Sequence, residues 1–310
     1  MQWNQLKTLF ILCFLVLDVY LLILFFNQQQ ESESTKTAPT AELSIEERMQ
    51  EEKIEIKTDL PDEEIEESYI TVKQKRFSEE EKELLMKKEN LESAVAAKDL
   101  IVSRYEDPVP IPKDASKETI NGLLKDTFLL PENYEYWDWN EEMNVLVFFQ
   151  KKSGRPIYYN HNGIILVFLN DDNEAIFYTQ TMLGDAVSSE NEQSEIKPML
   201  AIQQLLNDNR LESGDEITGI NLGYYTFYPL PSGEQVFAPT WTITVNEEKN
   251  FYVNAMETLV IPSDELGFLT ETAADIMNKV QTLEENTKLE TFVINHLSEK
   301  LTTINRSETE

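Results

Sequence analysis

The chain has 310 residues, and its 57 acidic against 26 basic side chains give a formal net charge of −31. A nucleic-acid-binding protein neutralises phosphates with Lys and Arg, so this charge excludes a nucleic-acid partner. One cysteine excludes an intrachain disulfide, and two histidines leave little material for a metal site or a catalytic triad. Hydrophobic residues make up 41% of the chain, which is sufficient for a folded core.

An apolar run, LFILCFLVLDVYLLILFF, covers residues 9–26. As a helix it would span about 27 Å, close to the thickness of a hydrocarbon core. Phe26 is followed by Asn and Gln instead of the small residues of a cleavage site, so we expect an uncleaved transmembrane anchor. Lys7 precedes the run and Lys36 is the first basic residue after it. The positive-inside rule therefore predicts a cell-membrane protein with a cytoplasmic stub of residues 1–8 and an extracellular body.

Asp18 is the charged residue inside this run. Acids within membrane helices are usually functional, because an unpaired carboxyl group in lipid is costly. We therefore expect Asp18 to contact another transmembrane helix, where it pairs or stays protonated. The alternative is a neutral acid that the membrane tolerates without a partner.

Residues 27–50 are rich in Gln, Glu, Ser and Thr and predict an acidic polar linker. Beyond it, alternating side chains predict strands at 54–57 and 69–73. Ser78 and Glu81 form a capping box that should begin a helix. The stripe of that amphipathic helix would comprise Leu84, Leu91, Val95 and Val102. An extended connector with prolines at 108, 110 and 112 should end it.

Apolar runs at 144–149, 163–169 and 175–181, separated by turn residues, predict an antiparallel meander. A helix should follow from Pro198 and end before Gly214, and three more strands are predicted near 224–228, 240–245 and 251–261. A helix followed by a meander thus occurs twice. We therefore predict an α+β fold in residues 51–262, with small lobes at about 51–185 and 195–262, and a helical tail at 263–310.

The sequence carries no phosphate-binding glycine motif, and we expect no cofactor and no metal site. His161 lies in a predicted turn and His296 in a terminal helix, so both are expected at the surface. Trp137, Trp139 and Tyr225 are candidates for an aromatic surface that stacks on cell-wall sugars, although alternating aromatics in strands usually belong to the core. A hydrolase with paired carboxylates stays open, because 57 acids always contain some pair.

The N-terminus resembles the YycI family in its Trp3-Asn4 pair, in the stretch from Lys7 to Ile11, and in the acid within its anchor. The residues PTWTITV at 239–245, followed by FYVNA at 251–255, are similar to the closing strands of PepSY-like lobes in this family and in the related YycH family. The resemblance covers the anchor and the body to about Ile261.

The resemblance implies a regulator of the YycG/YycF (WalK/WalR) two-component system of low-GC Gram-positive bacteria. Such a protein is not an enzyme. It associates with a YycH-like protein and with the sensor kinase YycG/WalK, and it is expected to repress that kinase. The alternative function is an extracytoplasmic module that binds a cell-wall polymer.

Overall fold

The computed structural model of the protein describes residues 44–61, 65–188, 194–229, 234–283 and 287–307, together with Lys7, Leu12, Phe14, Leu15 and Leu17. These five N-terminal residues are helical. Asp18, most of the predicted anchor and residues 27–43 of the predicted linker lie outside the described residues. Within the described part of the chain, no helix has both the length and the apolar character of a membrane span.

The chain divides into two compact units, Met1–Glu51 and Glu52–Glu310. The first unit contains helix α1 (Ile45–Glu51). A capping box begins this helix, in which the Ser44 hydroxyl accepts from the Glu47 amide at 3.2 Å and the Ser44 amide donates to the Glu47 carboxylate at 2.8 Å. The second unit contains all the strands and the other helices described below.

Helices of the second unit are α2 (Glu79–Met86), α3 (Lys117–Leu124), α4 (Pro198–Asn207), α5 (Glu265–Val280) and α6 (Thr287–Ser307). Its strands are β1 (Glu55–Ile56), β2 (Ile65–Glu67), β3 (Ile70–Gln74), β4 (Leu91–Ala96), β5 (Leu100–Pro110), β6 (Tyr134–Asn140), β7 (Val145–Lys152), β8 (Arg155–Tyr158), β9 (Ile164–Leu169), β10 (Glu174–Gln180), β11 (Leu183–Ser188), β12 (Ser194–Ile196), β13 (Glu216–Pro229), β14 (Glu234–Val245), β15 (Lys249–Asn254) and β16 (Leu259–Ile261).

Fourteen of the described strands form one mixed, mostly antiparallel sheet, and β2 pairs with β12 in a separate ribbon. The main order is β11-β3-β14-β13-β8-β7-β9-β10-β5-β4. β6 lies beside β7, β1 beside β13, and β15 and β16 extend from β14. The α+β class and the meander of β7, β9 and β10 are therefore confirmed.

Strands β7 and β9 are buried on both faces of the sheet. Successive side chains of β9 alternate between two cores, with Leu166 and Phe168 on one side and Ile165 and Val167 on the other. The first core is closed by α5 and α6, and the second by α2 and α3. This double coverage explains why β9 reads as a continuous apolar run and not as an alternating one.

The predicted long helix from Ser78 is wrong beyond its first two turns. The capping box is present, because the Ser78 hydroxyl accepts from the Glu81 amide, but α2 ends at Met86. Leu91 and Val95 belong to β4, and Val102 belongs to β5. These strands pair as a hairpin in which Val95 faces Ile101. Pro108 and Pro110 lie in the last part of β5 rather than in a connector.

Strand pairing crosses the predicted division into two lobes. β1 and β3 come from the first predicted lobe, yet they pair with β13 and β14 of the second. Ile70 and Val72 of β3 are buried in one cluster with Phe237 of β14. The two sets of strands thus form one continuous sheet. Hydrophobic alternation defines which face of a strand is buried, but it does not define the partner strand.

The predicted C-terminal helices are confirmed as α5 and α6. Asp264 caps α5, because its carboxylate accepts from the Gly267 amide at 2.9 Å. Both helices lie on the sheet, and the side chains fully buried in the first core include Leu269, Val280, Leu289, Val293 and Leu297. The pair α5 and α6, called here the C-terminal helix pair, is therefore part of the folded core.

Candidate functional site

Two of the three aromatic candidates, Trp137 and Tyr225, lie in one aromatic cluster. Trp137 contacts Tyr158 edge-on at 5.1 Å between ring centroids, Tyr158 contacts Tyr252 at 5.1 Å, and Tyr225 contacts Tyr252 at 5.8 Å. Both candidates are half-buried against the first core. Their rings are therefore largely engaged in packing, and little of either surface is open to a sugar.

The first turn of α5 is joined to this cluster through Glu265. Its carboxylate accepts from the Tyr159 hydroxyl at 3.0 Å and from the Asn140 side-chain amide at 2.9 Å. Burial and the Glu265 charge raise the pKa of Tyr159 above its ordinary value, so its hydroxyl is a hydrogen-bond donor at all physiological pH values. These bonds fix the start of the helix pair on the sheet.

The third candidate, Trp139, lies apart from the other two. It is half-buried at the end of β6, packs against the second core, and lines a cleft of about 660 Å³. The cleft lies between α6 and two turns of the sheet, β6–β7 and β9–β10. Its lining residues are Lys113, Trp139, Glu141, Glu142, Asn144, Asn170, Asp171, Asn173, His296, Glu299, Lys300 and Thr303.

A hydrogen-bond network holds the Trp139 side of the cleft in place. The indole Nε1 donates to Asn144 Oδ1 at 2.9 Å, and Asn144 Nδ2 donates to the Asn170 carbonyl at 2.8 Å. Asn144 and Asn173 both adopt positive φ, at 49° and 60°, which asparagine tolerates better than most residues. The two turns are thereby linked to each other and to the ring.

The α6 side of the cleft carries His296 and Lys300, one helical turn apart. His296 Nε2 is buried and has no hydrogen-bond partner among the described residues. Burial, helped by the nearby Lys300 charge, lowers the pKa of His296 to about 4, so the ring is neutral at pH 7. Burial also lowers the pKa of Lys300, and the Asp171 carboxylate partly opposes this shift.

The prediction that both histidines lie at the surface is wrong. His161 stacks on Phe268 at 4.5 Å between ring centroids, and its Nδ1 lies 2.7 Å from Thr272 Oγ1 of α5. His296 contacts Phe177 edge-on at 5.4 Å. Each histidine therefore lies between the sheet and the C-terminal helix pair. Turn and terminal-helix positions suggested exposure, but the tertiary contacts leave both histidines half-buried.

Sequence reasoning did not identify Lys300 or the asparagines of the two turns as lining one cleft. The predicted turn between the apolar runs 163–169 and 175–181 is confirmed, since the Asn173 amide donates to the Asn170 carbonyl at 3.0 Å. The four-residue spacing of His296 and Lys300 places them on one helix face and was an available signal. Asp18 lies outside the described residues. Among the described side chains, no group of His, Cys, Asp and Glu is arranged to hold a metal ion.

Comparisons with known proteins place the chain in a family. A search of curated proteins found no significant match. Among solved structures, the chain is similar to YycH from Bacillus subtilis, with 15% sequence identity and a TM-score of 0.32. That match covers 61% of this chain and 52% of the other, so the chain spans about half the length of that YycH structure. The family model described as YycI protein matches residues 27–256. The chain therefore belongs to the YycI family, a family of regulators of the YycG/WalK system.

Proposed function

We propose that this chain is an accessory regulator that binds a YycG/WalK-like sensor histidine kinase together with a YycH-like protein and represses the kinase. The observation that carries the proposal is the YycI family match over residues 27–256. This match includes every strand from β1 to β15. In this proposal the chain acts by association and has no enzymatic activity of its own.

The proposed arrangement places residues 9–26 across the cell membrane, residues 1–8 in the cytoplasm and the body outside. Four apolar residues within 9–26, namely Leu12, Phe14, Leu15 and Leu17, are helical, and each is between 49% and 60% exposed. Exposed apolar side chains on successive helical turns favour a membrane or protein contact over free solution. This exposure supports the anchor.

The proposed mechanism is a shift in the kinase's conformational equilibrium. The anchor would contact the kinase's transmembrane helices through Asp18, and the extracellular body would contact the kinase or the YycH-like protein. A ligand changes such an equilibrium only through its different affinities for the two states. A difference of about 1.4 kcal/mol changes the ratio of active to inactive kinase about tenfold.

Reconstitution in membranes tests this proposal. The kinase is placed in lipid vesicles with the YycH-like protein, with or without the full chain, and its autophosphorylation rate is measured. We expect the full chain to lower the rate several-fold. An unchanged rate would contradict regulation, and a raised rate would contradict repression.

Asp18→Leu tests the membrane contact, with Val19→Leu as the matched apolar control. We expect Asp18→Leu to insert normally but to retain less kinase on co-purification, since a polar contact between helices is lost. The Val19→Leu protein should retain the kinase fully. If Asp18→Leu retained as much kinase as the wild-type protein, residues 9–26 would act only as a tether.

A further inference from the structure

The cleft beside α6 contains two basic side chains that have no hydrogen-bond or ion-pair partner within the described part of the chain, although the protein is strongly acidic. Neither Lys113 nor Lys300 makes a hydrogen bond or an ion pair among the described residues, while several other described lysines do. Lys300 is half-buried, so its ammonium group has lost part of its hydration. A ligand oxygen at this position would supply the missing acceptor.

The wall opposite Lys300 is preorganised. Trp139, Asn144 and the β9–β10 turn are joined by hydrogen bonds of 2.8 to 2.9 Å, so ring and amides are in place before a ligand binds. The volume of about 660 Å³ lies within the usual range for small-molecule sites, about 300–1,000 Å³. A site of fixed geometry binds at a lower entropic cost than one that must first become ordered.

The charges of the cleft limit the class of ligand. The half-buried residues are an indole ring, three asparagines, a neutral imidazole and one ammonium group. The exposed rim carries four carboxylates, Glu141, Glu142, Asp171 and Glu299, against the single cation of Lys113. The rim repels polyanions, and Lys300 opposes a cation inside. A wholly apolar ligand would leave the Lys300 ammonium group and His296 Nε2 without hydrogen-bond partners.

We propose that this cleft is a binding site for a neutral saccharide, with the Trp139 ring and the Lys300 ammonium group as its principal contacts. A sugar offers an apolar C–H face to the indole ring, hydroxyl oxygens to the Lys300 ammonium group, and a hydroxyl partner for His296 Nε2. The site requires α6, which lies beyond residue 256, where the family match ends. It does not depend on a kinase partner.

Titration of the full-length chain with three trisaccharides tests the site. The probes are N,N′,N″-triacetylchitotriose and cellotriose, which are neutral, and trigalacturonic acid, which carries three carboxylates. We expect saturable binding of at least one neutral trisaccharide by calorimetry and by tryptophan fluorescence, with a dissociation constant of about 1 mM or lower. Trigalacturonic acid should bind about tenfold more weakly, because the rim repels it.

Matched variants assign the contacts. Lys300→Met keeps the aliphatic stem and removes the charge, and Lys288→Met makes the same change at an exposed position of the same helix. Trp139→Leu and Trp139→Phe both lose the bond to Asn144, but only the leucine variant lacks an aromatic ring. We expect about tenfold weaker binding for Lys300→Met and Trp139→Leu, a smaller loss for Trp139→Phe, and none for Lys288→Met.

Circular dichroism and unfolding midpoints establish that each variant is folded before it is compared. No saturable binding of either neutral probe, or binding that Lys300→Met and Trp139→Leu leave unchanged, would overturn the site. Preferential binding of trigalacturonic acid would overturn the assigned ligand class. None of these outcomes depends on kinase repression, so the two proposals fail separately.

Discussion

Burial controls the protonation of the histidines, which are the side chains best suited to respond near physiological pH. His296 packs against Phe168 and Phe177, and the charges that act on it are Lys300 on its own helix and Asp171 on the β9–β10 turn. Its pKa is lowered to about 4, against about 6.5 for an exposed histidine. The folded protein thus resists protonation of this ring more strongly than the unfolded chain does.

We expect the contribution of His296 to stability to be complete above pH 6.5 and to be lost as the pH falls toward 4, because the unfolded chain takes up the proton first. His296→Gln removes this dependence. Solvent screening of the partly exposed ring limits the effect to about 1–2 kcal/mol. Urea unfolding at pH 7 and pH 4.5 measures it, with the wild-type protein as reference. Equal losses of stability in both proteins would contradict a buried, neutral His296.

Single elements differ in how well the sequence predicts them. Strong local signals were sufficient for α2 at its capping box, for α4 at Pro198 and for β9. The β4–β5 hairpin was missed because Leu91, Val95 and Val102 also fit a helical stripe. Its turn has positive φ at Ala97 and Lys98 without a glycine or asparagine to signal it. The adjacent β-branched residues Ile101 and Val102 were the signal that favoured a strand.

The residues of the cleft could likewise be predicted from the sequence only in part. Trp139 was a candidate because aromatic residues can be recognised in the sequence. Lys300 lies 161 residues further along, and only the packing of α6 on the sheet brings it near. Contacts over such separations depend on tertiary packing, which local patterns do not encode.

The C-terminal helix pair should stabilise the whole second unit, although it lies beyond the family match. Leu297 of α6 is 0% exposed, whereas Leu84 of α2 is 56% exposed. We expect Leu297→Ala to lower the free energy of unfolding by about 2–5 kcal/mol, since it leaves a cavity in the first core. Leu84→Ala should cost about 0.5 kcal/mol or less. Urea unfolding measures both, and a similar small cost for each would show that α6 is a dispensable addition.

At the scale of the molecule, the four-residue strand β8 connects two parts of the sheet. One part contains β11, β3, β14 and β13, and the other contains β7, β9, β10, β5 and β4. Strand β8 pairs with β7 on one side and, in parallel, with β13 on the other. Glu67 of the β2–β12 ribbon forms an ion pair with Arg155 of β8 and accepts from the Tyr224 hydroxyl at 3.1 Å. An ion pair and a side-chain hydrogen bond therefore lie beside the short strand that connects the two parts of the sheet.

Gly223 allows β13 to approach β8 closely. A Cβ atom at this position would lie 2.7 Å from the Pro156 carbonyl oxygen and would clash with the Tyr158 ring. We expect Gly223→Ala to destabilise the protein by about 1–3 kcal/mol through overpacking. Gly122 lies in α3 with open space around it, so Gly122→Ala should stabilise by about 0.5–1 kcal/mol. Thermal and urea unfolding measure the stability of both variants. Stability changes of the same sign in the two variants would contradict the prediction.

The pairing of β1 with β13 also governs the order in which the chain can fold as it is made. Ile56 lies opposite Ile217, so at roughly 5–20 residues per second β1 remains unpaired for on the order of ten seconds during synthesis. The first core is completed later still during synthesis, because Ile304 belongs to it. The strands β7 and β9 therefore leave the ribosome after α2 and α3, which cover one of their faces, but before α5 and α6, which cover the other. Their first-core face stays uncovered until translation has passed α6, and transiently exposed apolar strands of this kind are prone to aggregate.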